Sequence, residues 1–282
     1  MRRYEGFTLV ELVLVIALSA VVGVMISTVL SRPLEGFVAQ SRRAELTDLA
    51  AVALNRMARE VRQAVPNSLR LTGSNTLELL AIHEAGRYRA SALVDGGMRH
   101  DPPRCPASGV CRIEVLSPGL AAERVRQARW MVIYNTGANV AGATVWPPLG
   151  AAALSVVTPD GAGFTLDAGQ LNLTGAAGFG FRYASPQHRF YLAREVLGYR
   201  CENVGEVAGN GSGRLVRASF DQLQDGYSYA NSPVLVDSVS RCEFTYEPGT
   251  NTRGGLLTIG LGVRRDGEEV VLLQQIHVYN AP

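Results

Sequence analysis

An acid beside a long apolar run, and four cysteines, are the residues of this chain whose types and spacing most directly suggest chemistry. Residues 12–30, LVLVIALSAVVGVMISTVL, carry no charge, and Glu11 stands immediately ahead of them. A carboxylate at the bilayer centre costs about 2.5–3.5 kcal/mol, less near an interface, so it is kept where it finds a partner. Cys105, Cys111, Cys201 and Cys242 permit three pairings. Cys105 and Cys111 enclose the turn-forming PASGV, while Cys201 and Cys242 each adjoin a strand pattern. The favoured bridges are therefore 105 with 111 and 201 with 242, the second between neighbouring strands. Zinc is the competing use, but C-x5-C is not a usual ligand spacing and no His is close enough to complete a site. No metal and no cofactor are expected.

Catalytic arrangements do not assemble. His83, His100, His188 and His277 are dispersed, with no H-E-x-x-H. In GNGSG (209–213), Asn210 stands where the nucleophile elbow G-x-S-x-G requires Gly. DQLQDG (221–226) places Asp221, Asp225 and Gly226 at EF-hand positions 1, 5 and 6, but Leu223 falls where Asp or Asn is needed. All 27 basic residues are Arg, which excludes a Walker A phosphate loop because its Lys is obligatory. Residues 1–66 hold 8 Arg against 6 Asp and Glu, and residues 67–282 hold 19 against 19. The bulk of the chain is thus neutral and lacks the basic face of a nucleic-acid binder. The nearest approach is Arg124, Arg126 and Arg129 beside Trp130. Neither an enzyme nor a DNA-binding protein is expected.

The elements that must position Glu11 and the cysteines follow from periodicity. As a helix, the 19 residues 12–30 span about 28 Å, close to a hydrocarbon core of roughly 30 Å. Arg2 and Arg3 precede the run, so the positive-inside rule keeps the N-terminus cytoplasmic and places the remainder outside, where disulfides persist. A secretory signal would offer an A-x-A cleavage site after the run, whereas SRPLEGF offers none. Pro33 and Gly36 predict a bend or weak point just beyond the membrane. Leu46, Ala50, Ala53, Met57, Val61 and Ala64 then recur at i+3 and i+4 among charged residues, which predicts an amphipathic helix packed on the protein's own sheet. Arg56 and Glu60 are spaced to pair along it, and Pro66 ends it.

From residue 67 the pattern changes to short alternating segments. TLELLAI (76–82) and RYRASALV (87–94) flank HEAG and predict a hairpin; VCRIEVL and RWMVIYN (129–135) predict further strands. Residues 137–180, rich in Gly and Ala, predict loops and weakly formed strands. HRFYLA, VLGYRC, RLVRASF, PVLVDSV, CEFTYE, LLTIGLGV and EVVLLQQIHVY are all strand-like, the last two joined by a tight turn at Asp266-Gly267. ENVGEVAGNGSG, between Cys201 and Arg214, predicts a flexible loop.

Gly6, Phe7, Thr8, Leu9, Val10 and Glu11, behind a short basic leader and ahead of the apolar run, resemble the type IV prepilin N-terminus. The resemblance implies cleavage between Gly6 and Phe7 by a membrane prepilin peptidase and N-methylation of Phe7. It also implies that Glu11 pairs with the amine of a neighbouring subunit as pilins enter a filament. It divides the chain into a leader (1–6), a transmembrane or filament-core helix (7–31), the amphipathic half of that helix (32–66) and an extracytoplasmic β-rich head (67–282). The implied fold is α+β: a long N-terminal helix packed on an antiparallel sheet, as in pilins. NRMAREVRQAVPNSLR (55–70) and the closing GLLTIGLGVRRDGEEVVLLQQIHVYNAP are more specifically similar to the minor pilins of mannose-sensitive haemagglutinin pili, of the MshO type; the middle, 95–185, carries no such likeness. The implied role is a low-copy type IV pilus subunit in assembly, initiation or at the tip, held in the inner membrane with its head periplasmic and then displayed at the surface. Its partners would be prepilin peptidase and other pilins. A minor pseudopilin of type II secretion and a pilus-tip adhesion module are the alternatives.

Overall fold

The computed structural model describes residues 8–90, 101–147, 154–249 and 254–280. In chain order the elements are α1 (Leu9–Arg62), β1 (Arg70–Thr72), β2 (Thr76–Arg87), β3 (Cys111–Glu114), α2 (Ala122–Gln127), β4 (Trp130–Val132), β5 (Leu154–Ser155), β6 (Gly163–Asp167), β7 (Gln170–Thr174), β8 (Gly180–Phe181), β9 (Arg189–Glu202), β10 (Glu206–Val207), β11 (Asn210–Gly211), β12 (Gly213–Phe220), β13 (Val234–Glu247), β14 (Gly255–Arg265) and β15 (Glu268–Val278). The result is an N-terminal apolar helix joined to a large antiparallel sheet.

The helix α1 is continuous for 54 residues, and Pro33 and Gly36 do not divide it. It ends at Arg62, four residues before the boundary that Pro66 suggested. The sheet causes the early end: Val65 N–H donates to the Leu80 carbonyl and Ile82 N–H to the Gln63 carbonyl, each at 2.8 Å. The Gln63 carbonyl and the Val65 N–H thus bond to β2 in place of a further helical turn.

Eight strands form the main sheet in the order β1-β2-β9-β12-β13-β14-β15, with β4 also paired to β9. The strand β9 holds β12 along Val196–Glu202 and β4 along Tyr191–Ala193. One face packs on α1: Leu46, Ala50, Ala53, Met57, Val61 and Ala64 are buried with Leu79, Leu197, Tyr199, Phe244, Ile259 and Ile276. Each Leu, Met, Val, Ile or Phe among these contributes about 1.5–3 kcal/mol on full burial, which is why the polar-apolar period of residues 46–64 decides the docking face. Elsewhere in the sheet Trp130 of β4 and Tyr191 of β9 are buried in a second cluster with Trp146 and Tyr229. A smaller sheet in the order β3-β7-β6 packs with α2 around Ile113, Val125, Phe164, Leu171 and Phe190.

Several expectations change. HEAG is not a turn: β2 runs straight through it, paired to β9 from Thr76↔Arg200 to Arg87↔Arg189 with register shifts near Ile82. A long partner strand absorbs a local turn signal by bulging; residues 91–94 of the expected second strand lie outside the described residues. HRFYLA and VLGYRC merge into β9, and PVLVDSV and CEFTYE into β13. ENVGEVAGNGSG is not a simple flexible loop, since β10 and β11 form a small hairpin whose Gly209 carbonyl accepts from Gly267 N–H at 2.8 Å. Residues 137–180 contain the regular β6-β7 hairpin and the parallel β5-β8 pair, so the strands are not all antiparallel. The short helix α2 carries no signal strong enough to stand out in the sequence.

Two local readings do describe the structure. Asp266 and Gly267 both take positive φ, 48° and 81°, the left-handed pair of a two-residue hairpin turn, and β14-β15 pairs without a register shift from Gly255↔Val278 to Arg265↔Glu268. Cys105 is bonded to Cys111 and Cys201 to Cys242. The second bridge is not between neighbouring strands, however: it joins β9 to β13, and β12 lies between them in the sheet.

Candidate functional site

The N-terminal helix begins with a cap that the sequence contains as T-x-x-E. Thr8 is extended (φ −81°, ψ 151°), and its hydroxyl accepts from the Glu11 N–H at 3.3 Å. One of the otherwise orphaned first-turn donors is thereby satisfied, and the Glu11 carboxylate sits where the helix dipole favours negative charge. Thr8 is thus a positioning residue that the reading of Glu11 alone overlooks; the capping-box spacing is the signal that reveals it. Gly6 and Phe7, the expected processing positions, lie outside the described residues.

Behind the cap, Leu9–Ser27 is long and apolar enough to cross a membrane, with mean hydropathy 2.8 and none of it buried within the chain. Leu12, Val13, Ile16, Val24 and Met25 are all more than half exposed. Uncovered apolar surface on this scale requires lipid or other protein around it.

The helix is fixed to the head by charge as well as by its apolar stripe. Glu60 pairs with Arg56 one turn away, at 3.2 Å, as the spacing predicts. It also accepts two hydrogen bonds from Arg217 Nε, at 3.2 and 3.0 Å, and one from the Tyr199 hydroxyl. Burial by itself pushes the Glu60 carboxyl up, but Tyr199, Arg217 and Arg56 together hold it below the ordinary carboxylate range. Burial, together with the Glu60 carboxylate, raises the Tyr199 hydroxyl. At the other end of the contact, Arg265 reaches Glu45 at 3.1 Å and Arg42 reaches Asp266 at 3.4 Å, exposed pairs of small energetic value.

The remaining sequence candidates are dispersed or occupied. Asp225 pairs with Arg70 at 3.1 Å and Asp221 with Arg129 at 3.6 Å, so the acids of DQLQDG serve arginines from different elements. Arg124 pairs with Glu84 and Arg126 with Glu123, which breaks up the basic cluster beside Trp130. Trp130 itself is buried and donates to Asp160 at 2.8 Å. His188 lies 3.3 Å from Asp101, His83 is held in an environment whose burial lowers its basicity, His277 is exposed on β15, and His100 lies outside the described residues. Cys201 and Cys242 clamp the sheet beside Tyr199, on the face that α1 covers.

Residues 1–27 match the family model of the prokaryotic N-terminal methylation motif. This motif implies processing by prepilin peptidase and anchoring in the membrane through the apolar helix. No characterised protein and no solved structure gives a significant match to the chain.

Proposed function

We propose that this protein is a minor pilin, a low-copy structural subunit of a type IV pilus that acts in assembly, initiation or at the tip. The observation that carries the reading is a single helix: its first half bears the methylation motif and an uncovered apolar surface, and its second half is clamped to a large head. Prepilin peptidase would cut between Gly6 and Phe7 and methylate Phe7. Before assembly the helix would lie in the inner membrane with the head periplasmic, a side that suits two disulfides. On assembly Glu11, already at the first turn, would meet the amine of an adjacent subunit; an ion pair in an apolar bundle specifies register better than it adds stability. The helix-to-sheet architecture is that expected of pilins, with a head that is mostly β.

The narrower identification, as the MshO type of mannose-sensitive haemagglutinin pili, rests on the segments 55–70 and 255–282. A minor pseudopilin of type II secretion shares every N-terminal feature and is the alternative. An enzymatic role is not proposed, since Glu60, Glu78 and Asp221, three acids placed against other elements, are each bound by arginine.

Mass spectrometry of the mature protein tests the reading at its root. The expected N-terminus is methylated Phe7, and an intact Met1 in wild-type cells would overturn it. Gene deletion then separates the systems: loss of surface pili supports a pilus subunit, whereas normal pili with lost protein secretion supports a pseudopilin.

A further inference from the structure

The strands β2 and β9 bring Arg87 and Arg189 directly opposite each other in register. Side chains at such positions share a face of the sheet about 4.5–5.5 Å apart at Cβ, and like charges placed so are destabilising. Both arginines line one groove of about 390 Å³, and Arg62, from the last turn of α1, lines it too. Among the described residues no carboxylate lines it. Among the described residues none of the three arginines takes part in an ion pair. The groove also presents Tyr191, Tyr279 and the hydroxyl-bearing Ser117. Tyr191 and Tyr279 stand against the Arg189 guanidinium, and Tyr279 is 64% exposed.

We propose that this groove binds a small carboxylate-bearing saccharide, a uronate residue, with Arg87, Arg189 and Arg62 around its carboxylate. A planar carboxylate matches the guanidinium fork in a bidentate way, and three arginines lining one groove supply the donors. Placed between Arg87 and Arg189, it turns a repulsive cross-strand pair into an attractive cluster. The volume suits one or two sugar residues rather than a polymer track. The Ser117 hydroxyl, which accepts from the Arg87 N–H at 2.8 Å, keeps its own O–H to donate to a sugar hydroxyl, and the exposed Tyr279 ring offers an apolar face. A nucleic-acid backbone fits less well, because it needs positive charge extended along a surface and the head as a whole is neutral. The proposal goes beyond the assembly role, which uses the other end of α1.

Ligand-detected NMR on the detergent-solubilised full chain tests it with galacturonate as the probe and galactose, inorganic phosphate and a short single-stranded oligonucleotide as comparisons. Saturable galacturonate binding is expected at a Kd of about 1 mM, typical of a ligand of this size, with no binding of galactose. R87Q and R189Q should each weaken it tenfold or more, while raising the ligand-free Tm by about 1–2 °C through relief of the like-charge contact. Galactose binding as tightly, phosphate competing equally, or R87Q and R189Q binding as wild type would each overturn the proposal. Oligonucleotide binding that the same variants abolish, without galacturonate binding, would overturn it and reassign the groove to a phosphodiester backbone.

Discussion

Arg217 on β12 donates from Nε to both carboxylate oxygens of Glu60 on α1, at 3.2 and 3.0 Å, across a separation of 157 residues. This contact adds a charged clamp to the apolar docking of the helix, in the last full turn before the chain enters the sheet.

Arg217→Ala is expected to destabilise the head by about 2 kcal/mol, less than the 3–5 kcal/mol of a fully buried pair because the two side chains keep 22% and 19% of their exposure. Urea unfolding of the disulfide-intact protein measures this. The pH dependence has a definite sign. A carboxyl held below its ordinary value stabilises the fold above the unfolded-state pKa of about 4.3 and loses that contribution as pH falls through the lower folded value. Wild-type Tm should therefore drop more steeply below about pH 4.5 than that of Glu60→Gln. Parallel curves for the two proteins would show that Glu60 is not held ionised by the fold.

The disulfides should differ in value. Loop-closure entropy gives about 4 kcal/mol for the Cys201–Cys242 bridge, whose ends are 41 residues apart, and about 2 kcal/mol for Cys105–Cys111, 6 apart. Paired Cys→Ser variants, unfolded in urea, should rank in that order. The longer bridge also ties β9 to β13, so its loss should expose both strands to proteolysis.

Met57 is fully buried between α1 and the sheet, whereas Val52 on the same helix is 60% exposed. Met57→Ala should cost about 2–5 kcal/mol, and Val52→Ala within about 0.5 kcal/mol of nothing. Equal effects in thermal unfolding would mean that the helix docks on a different face.

Glu11→Ala should leave cleavage after Gly6 intact, since the Thr8 cap accepts from the backbone of residue 11 rather than from its side chain. Incorporation into filaments should fall by about tenfold or more, equivalent to losing roughly 1.4 kcal/mol at the docking step. Quantitative immunoblotting of sheared filaments against membranes reads the split. Filaments that contain the variant at wild-type levels would leave Glu11 as part of the helix start only.

The comparison of sequence with structure turns on the range of each signal. The apolar run, the buried stripe from Leu46 to Ala64 and the Asp266-Gly267 turn were all readable, because each depends on residues within a few positions of one another. The cysteine pairs were readable too, but the strand between them was not. HEAG misled for the converse reason: turn propensity within four residues is weaker than pairing along a 14-residue partner.

By itself, then, the sequence determined that this chain has a membrane-capable helix with an acid at its start, a second helical half with one sticky face, and a head of strands joined by two disulfides. Backbone preference and hydrophobic period suffice for that, since both act along the chain. Only the tertiary structure decided that Glu60 belongs to Arg217 and Tyr199, that α1 stops at Arg62, and that Arg87 faces Arg189 across a groove. These are consequences of strand register, which the buried faces of the whole sheet set together and no short segment encodes alone.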